Sequence, residues 1–255
     1  MKVVILAGGY GTRLSEETAV LPKPMIEIGG RPLLWHLMKS FSAHGFNEFV
    51  VALGYKGDVI KRYFLQYPDI ASDLRIELGS GTMERQGSVR EDWRIELVNT
   101  GRDTMTGGRL RRLRDRLGGT FFFTYGDGLS TIDLPKLLEF HRSHGKLATV
   151  TAVQPPSKFG VLQLEGNEVT KFNEKPADAN TYINGGFFVL EPEAIDYVEG
   201  DETSWEHEPC EALAGDGQLC AYVHDEYWQC VDTLHELRVL RNAWDRGEAP
   251  WKTWN

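Results

Sequence analysis

Val3-Val4-Ile5-Leu6-Ala7-Gly8-Gly9-Tyr10-Gly11-Thr12-Arg13, with Pro22-Lys23-Pro24 ten residues beyond its arginine, is the stretch that decides how this chain reads. A continuous apolar run is the pattern of a strand buried on both faces. It runs directly into three glycines. Glycine lets backbone N–H groups approach a ligand closely, and successive N–H groups in such a turn form an anion-binding concavity. Arg13 and Lys23 place full positive charge beside it. The residues from Leu6 through Ala7, Gly8, Gly9, Tyr10, Gly11 and Thr12 to Arg13 are therefore candidates to cradle a polyphosphate. A tight strand-to-helix turn with surface cations is the competing reading.

Two commoner glycine motifs do not fit. A dinucleotide fingerprint starting at Gly9 would need glycine where Leu14 stands, and a P-loop would end in Gly-Lys-Ser/Thr rather than Gly11-Thr12-Arg13.

Outward from the loop, strands and helices alternate. Leu33, Leu34, Leu37, Met38 and Phe41 make one stripe of a helix over 32–44, closed by Gly45. Strand 48–53, a helix over 56–66, strand 93–98, a basic helix near 107–117, strand 120–125, a helix over 134–144 capped by Asp133, and strand 147–153 follow. This order predicts an α/β fold, a Rossmann-like, mostly parallel mixed sheet flanked by helices. Ligands in such sheets bind beyond the carboxyl ends of the strands. After Pro155-Pro156 the pattern shifts to short strand-like runs at 159–164, 168–173, 183–190 and 219–224. These predict a smaller β-rich portion over the rim of the sheet, with helices near 206–214 and 233–246. The expectation is one domain over 1–255, with a first part spanning 1–154 and a C-terminal part 155–255.

Composition narrows the function classes. With 255 residues and 41% hydrophobic content the chain can bury a full core. A net charge of −9 disfavours wholesale nucleic-acid binding. The arginines between Arg109 and Arg116 read as a solvated helix face, with Leu110, Leu113 and Leu117 on the other side. Three cysteines without a C-x-x-C pair read as reduced thiols. Neither a signal peptide nor an apolar run of membrane-spanning length is present, which predicts a cytoplasmic protein. Trp251 and Trp254 near the end of the chain either fold back on the monomer or make a subunit contact.

Four further positions carry chemistry. Asp127 sits in Tyr125-Gly126-Asp127-Gly128 at a strand tip, where a carboxylate suits a hard divalent cation such as Mg²⁺; a structural turn aspartate is the alternative. Asp232, late in the chain, is its candidate partner, with helix N-capping as the competing role. In Phe172-Asn173-Glu174-Lys175-Pro176, Lys175 can meet a monoester phosphate and Glu174 can accept bonds from sugar hydroxyls; a plain surface strand is the alternative. Asn184-Gly185-Gly186 suggests either backbone passing close to a ligand or a β-bulge.

Taken in order, strand, G-G-x-G-T-R, P-K-P, G-D-G, E-K-P, N-G-G and a final Asp, the chain resembles the sugar-nucleotide pyrophosphorylases, the nucleotidyltransferases that activate sugar 1-phosphates. The resemblance covers nearly the whole chain and implies the nucleotide-diphospho-sugar transferase fold. It is closer to members that use CTP, on Leu14-Ser-Glu-Glu-Thr18, Lys23-Pro-Met-Ile-Glu-Ile-Gly-Gly30, Met105-Thr-Gly-Gly-Arg109, Ile183-Asn-Gly-Gly-Phe-Phe-Val189 and Ala249-Pro-Trp-Lys-Thr-Trp254. One departure is Leu21, where the family pattern has a lysine. The resemblance implies CTP and glucose 1-phosphate as substrates, CDP-glucose and pyrophosphate as products, Mg²⁺ as cofactor and a homo-oligomer. It assigns catalysis to Arg13 and Lys23, the metal to Asp127 and Asp232, and the sugar phosphate to Glu174, Lys175, Asn184 and Gly185. Thr104, Arg109 and Gly128 become candidates to hold the nucleotide, with Arg109 donating to cytosine. Other readings are the same chemistry with dTTP, UTP or ATP, a non-catalytic binding subunit, and a metal-dependent glycosyltransferase. The last would need an Asp-x-Asp that Asp127-Gly128-Leu129 does not supply.

Overall fold

The structure, a computed structural model, describes residues 1–11, 21–87, 91–154, 161–165, 168–173 and 181–254. Seven strands form the central sheet: β1 (Lys2–Ala7), β2 (Glu48–Leu53), β3 (Arg94–Asn99), β4 (Phe121–Tyr125), β5 (Ala148–Val153), β6 (Ile183–Leu190) and β7 (Leu219–His224). Their order across the sheet is β7-β5-β6-β4-β1-β2-β3. β1 pairs parallel with both β2 and β4, and β2 pairs parallel with β3. β6 alone runs against its two neighbours, β4 and β5, while β5 and β7 are parallel. The sheet is thus mixed and mostly parallel.

The first strand shows why the apolar run had to be central. Val3 and Ile5 face one core, with Leu34, Leu37, Met38 and Phe41 of α1 (Leu33–Ala43) and Leu134, Leu137 and Leu138 of α4 (Leu134–His144). Val4 and Leu6 face the opposite core, with Leu110, Leu113, Phe123, Trp205 and Leu213. Side chains alternate across a strand, so a strand covered by helices on both faces is apolar throughout. Among the described residues the remaining α-helices are α2 (Gly57–Ile70), α3 (Thr106–Arg111), α5 (Glu208–Gly215) and α6 (Leu234–Asp245). Asp133 caps α4 through the Lys136 N–H, as its position predicted.

The structure differs from the sequence reading at two places and decides a third that the reading left open. First, β6 and β7 belong to the central sheet rather than to a layer above it. The run Phe187-Phe188-Val189-Leu190 is fully buried, which an edge ribbon does not require. Of the four late runs, only Val161–Glu165 and Glu168–Asn173 form a separate two-stranded ribbon. Second, an exposed hairpin (Asp73–Glu77 paired with Thr82–Gln86) fills a stretch left without an assignment. Third, the C-terminal tryptophans fold back on their own chain. Trp251 is fully buried, its ring stacked near Tyr227, and Trp254 meets Trp35 edge-on at 5.9 Å. They close a third apolar cluster containing Ile26, Ile28, Leu33, Val231, Leu237 and Leu240. Among the described residues, no helix is long and apolar enough to cross a membrane.

Candidate active site

β1 delivers the glycine loop to the carboxyl rim of the sheet. The Gly8 carbonyl accepts from the Tyr55 N–H at 3.1 Å and from Arg109 Nη2 at 3.1 Å. Arg109 Nη1 donates to Leu53 O, Thr100 Oγ1 and Gly101 O, the last at 2.6 Å, and Nη2 also donates to Arg102 O. The guanidinium is buried, and burial followed by the nearby Arg112 charge weakens its hold on its proton. Three loops at the ends of β1, β2 and β3 are thereby tied to one side chain. Gly8 must be glycine because a Cβ there would fall 2.4 Å from Arg109 Nη1. Arg109 therefore grips the underside of the loop in this structure and does not line the cleft above it. The expectation of a wholly solvated basic face fails at this one arginine. It shares the inward side of α3 with Leu110, while Arg112, Arg114 and Arg116 pair at the surface with Asp201, Asp196 and Glu96.

Lys23 enters from the opposite side. Pro22 and Pro24 bracket a short 3₁₀ turn, 23–25, in which the Met25 N–H bonds Pro22 O at 2.8 Å. Proline fixes φ on both sides of the lysine. Its ammonium lies 2.6 Å from Asp127 Oδ2 and 2.7 Å from Asp232 Oδ1. The two aspartates, far apart in sequence, are joined by a ribbon in which Gly128–Ser130 pairs antiparallel with Trp228–Cys230, extended by a bond from the Val231 N–H to Asp127 O at 3.0 Å. Burial lowers the proton affinity of Lys23, but the Asp127 and Asp232 carboxylates outweigh it and leave the pKa raised. The lysine is a cation at neutral pH. Thr233, not Asp232, caps α6, in a capping box with Glu236. The cap role that competed for Asp232 belongs to its neighbour.

A cleft of about 640 Å³ spans these groups. Leu6, Ala7, Gly9 and Gly11 line it together with Lys23, Asp127, Gly128 and Asp232. Asn184 and Gly185 form another wall. Gly186, at φ +78°, lets the chain pass Tyr125, whose ring would lie 2.7 Å from a Cβ. The register between β5 and β6 shifts at this point, so the N-G-G segment is both an irregularity in the sheet and a wall of the cleft. Gly8, Tyr10, Thr104 and Arg109 stand outside the lining. Thr12, Arg13, Glu174 and Lys175 lie outside the described residues, as do segment 14–18 and the prolines at 155–156.

Several lining residues were not singled out in the sequence. Trp228 donates from Nε1 to Gly185 O at 2.7 Å. Cys230 Sγ approaches Asp232 Oδ2 at 3.7 Å, and burial together with the Asp232 charge pushes its thiol up to about 12, so it is no nucleophile at neutral pH. Tyr125 and Thr106 both bond to Glu206. Burial, then the Glu206 charge, raises the Tyr125 phenol far above its ordinary range, and it stays a donor. The signal for Tyr125 was its place in Tyr-Gly-Asp-Gly; nothing local in the sequence marks Glu206.

The sequence matches the family model described as Nucleotidyl transferase over residues 2–238. The chain belongs to the nucleotidyl transferase family. It is 49% identical to a glucose-1-phosphate cytidylyltransferase of Salmonella typhi, with all of both chains covered, and 44% identical to a probable glucose-1-phosphate cytidylyltransferase of Bacillus subtilis over the same full span. Among solved structures, HddC from Yersinia pseudotuberculosis superposes with a TM-score of 0.70 at 22% identity, covering 95% of this chain and 99% of that one. A UDP-glucose pyrophosphorylase complexed with UDP-glucose gives 0.66 at 17%, covering 96% and 98%. These structural likenesses support the mixed-sheet nucleotidyl transferase fold.

Nucleotidyl transferases generally use a divalent metal. The donors here fit one. Two carboxylate oxygens already converge on a single cation, the Lys23 ammonium. Among the described residues no group of three His, Cys, Asp or Glu side chains joins them. One or two carboxylates completed by phosphate and water oxygens is the set that magnesium favours.

Proposed function

We propose that this nucleotidyl transferase joins CTP and α-D-glucose 1-phosphate into CDP-glucose and pyrophosphate, with Mg²⁺ held by Asp127 and Asp232, in the cytoplasm. The observation that carries the reading is the convergence of Lys23, Asp127 and Asp232 in a cleft lined also by the glycine loop; the full-length similarity to glucose-1-phosphate cytidylyltransferases supplies the substrates.

A phosphate oxygen of glucose 1-phosphate forms a bond to the α-phosphorus of CTP. The bond from that phosphorus to the bridging α–β oxygen breaks in line, and pyrophosphate leaves with the electron pair. The attacking group is already an anion, so no general base is required. The protein's contribution is placement and electrostatic stabilisation. Backbone N–H groups of the loop through Gly11 hold the triphosphate, with Arg13 taking the departing phosphates through its fork. Lys23 carries its charge to the α-phosphate side, where negative charge grows. Lys175 takes the sugar phosphate and Glu174 the sugar. Bound Mg²⁺ supplies charge neutralisation between two anionic reactants.

The test is direct: incubate the purified chain with CTP, glucose 1-phosphate and Mg²⁺, and identify the sugar nucleotide by mass spectrometry. CDP-glucose with stoichiometric pyrophosphate is expected; its absence would remove this reading.

A further inference from the structure

Glu206 is a carboxylate in a cleft built for anions, and that conflict asks for an explanation. It lines the cleft. Among the described residues it has no ion-pair partner. It is instead held by two hydroxyls: Tyr125 Oη donates to Oε1, and Thr106 Oγ1 donates to Oε2 at 2.6 Å. Thr106 in turn accepts from the Trp205 N–H at 2.9 Å, and Trp205 is fully buried beside Phe123 and Phe188. Backbone bonds from Met105 N to Asp201 O and from Gly108 N to Thr203 O fasten the start of α3 to the same turn. The carboxylate plane is thus fixed by two hydroxyls that are themselves anchored on the core.

An ionised carboxylate only accepts, with about four lone-pair sites over its two oxygens. One site on each oxygen is taken, which leaves one on each, side by side and open to the cleft. A phosphate would be repelled there. A pair of neighbouring hydroxyl groups matches the two sites. The neighbours of Tyr125 say which substrate carries them. The glycine loop ends β1, Tyr125 ends β4, and Asn184 lies on β6 beyond it. Tyr125, which holds Glu206, also shares a side-chain hydrogen bond with Asn184 and lies against Gly186, so Glu206 stands beside the N-G-G wall, the part of the cleft read above as the sugar-phosphate side. It is no third metal ligand either, since no such cluster forms among the described residues.

We propose that Glu206 is a specificity-determining residue that reads two adjacent hydroxyls of the hexose, with Tyr125 and Thr106 as its positioning residues. The inference rests on the sugar 1-phosphate reading above. It assigns discrimination among hexoses to a preorganised acceptor pair, which rejects an analogue lacking a hydroxyl because a fixed polar group is left unpaired.

The experiment compares wild type, Glu206→Gln and Glu206→Ala on glucose 1-phosphate and its 2-, 3-, 4- and 6-deoxy analogues, with circular dichroism confirming the fold. Wild type should lose about 10- to 100-fold in kcat/KM for each of two neighbouring deoxy positions, the range of a charged hydrogen bond. In both variants that penalty should shrink to within about threefold, while KM for CTP stays within about twofold. Thr106→Val should give an intermediate penalty in a chain that circular dichroism shows to be folded, with reduced stability because the Trp205 N–H loses its acceptor. An unchanged pattern of deoxy penalties in Glu206→Ala would overturn the assignment, as would a rise confined to KM for CTP. A wild type that turns over no sugar 1-phosphate at all would instead overturn the functional reading beneath it, so the two failures are distinct.

Discussion

Lys23 and Asp127 stand 104 residues apart in the chain and meet at 2.6 Å in the floor of the cleft. Nothing but the fold brings them together: two prolines aim the lysine, and the tip of β4 presents the aspartate. Replacing Lys23 by alanine is predicted to reduce kcat by about 100-fold or more, the typical cost of one donor aimed at developing charge. The two aspartates it leaves face one another without a cation, so a lower unfolding temperature is expected as well, and the rate is read where the variant is folded. A near-wild-type rate in a folded variant would return Lys23 to a structural ion pair.

Asp127→Asn removes half of the proposed metal carboxylate set. The Mg²⁺ concentration for half-maximal rate should rise by more than about 100-fold, beyond the 10- to 100-fold typical of losing an outer-shell partner. A titration curve that overlays wild type would make Asp127 a turn residue whose only partner is Lys23.

Arg109→Met leaves the carbonyls of Gly101 and Arg102 without the guanidinium donor and the Gly8 carbonyl with the Tyr55 N–H alone. Each unsatisfied group costs about 1–3 kcal/mol, so a loss near 3 kcal/mol is expected by denaturant unfolding, with a raised KM for CTP as the glycine loop slackens. Arg109→Lys keeps the charge and not the fork, and should recover little. A raised KM for CTP with undiminished stability would restore Arg109 to the nucleotide-reading role inferred from the sequence.

His36 gives the stability a pH signature. It is fully buried; one ring nitrogen bonds the Ile28 carbonyl and the other takes the Trp251 N–H, so the ring is neutral. Desolvation lowers its pKa from 6.5 to about 4. The unfolded chain then binds a proton that the native state refuses. Stability falls as pH drops from 6.5 towards 4 and the loss levels off below, totalling about 3 kcal/mol. His36→Gln should show a flatter stability curve across that window by urea unfolding, whatever its absolute stability. Equal slopes would contradict a neutral buried ring.

The parts legible in the sequence were those whose cause is local. The buried run before Gly8 fixed β1, one apolar stripe fixed α1, and Asp133 with Gly145 bounded α4. Lys23, Asp127 and Asp232 could be chosen as candidates because proline bracketing and strand-tip glycines are local signals. Their meeting was not legible, since it depends on a three-residue ribbon, 128–130 with 228–230, that no periodicity reveals. Arg109 misled because charge alone does not say which side of a short helix faces in. Glu206 left no local mark because its meaning comes from Tyr125 and Thr106, elements distant in the chain. β6 was placed too far out because a buried strand inserted antiparallel into a parallel sheet looks, in sequence, like any other short apolar run, and β7 because a half-exposed edge strand carries no full apolar run.

The central claim is that this cleft activates glucose 1-phosphate with a cytidine nucleotide. Pyrophosphate release measured under identical conditions for CTP, UTP, ATP, GTP and dTTP, each with glucose 1-phosphate and Mg²⁺, tests it most directly. CTP should give the highest kcat/KM by a wide margin. A higher value for any other nucleotide would contradict the account.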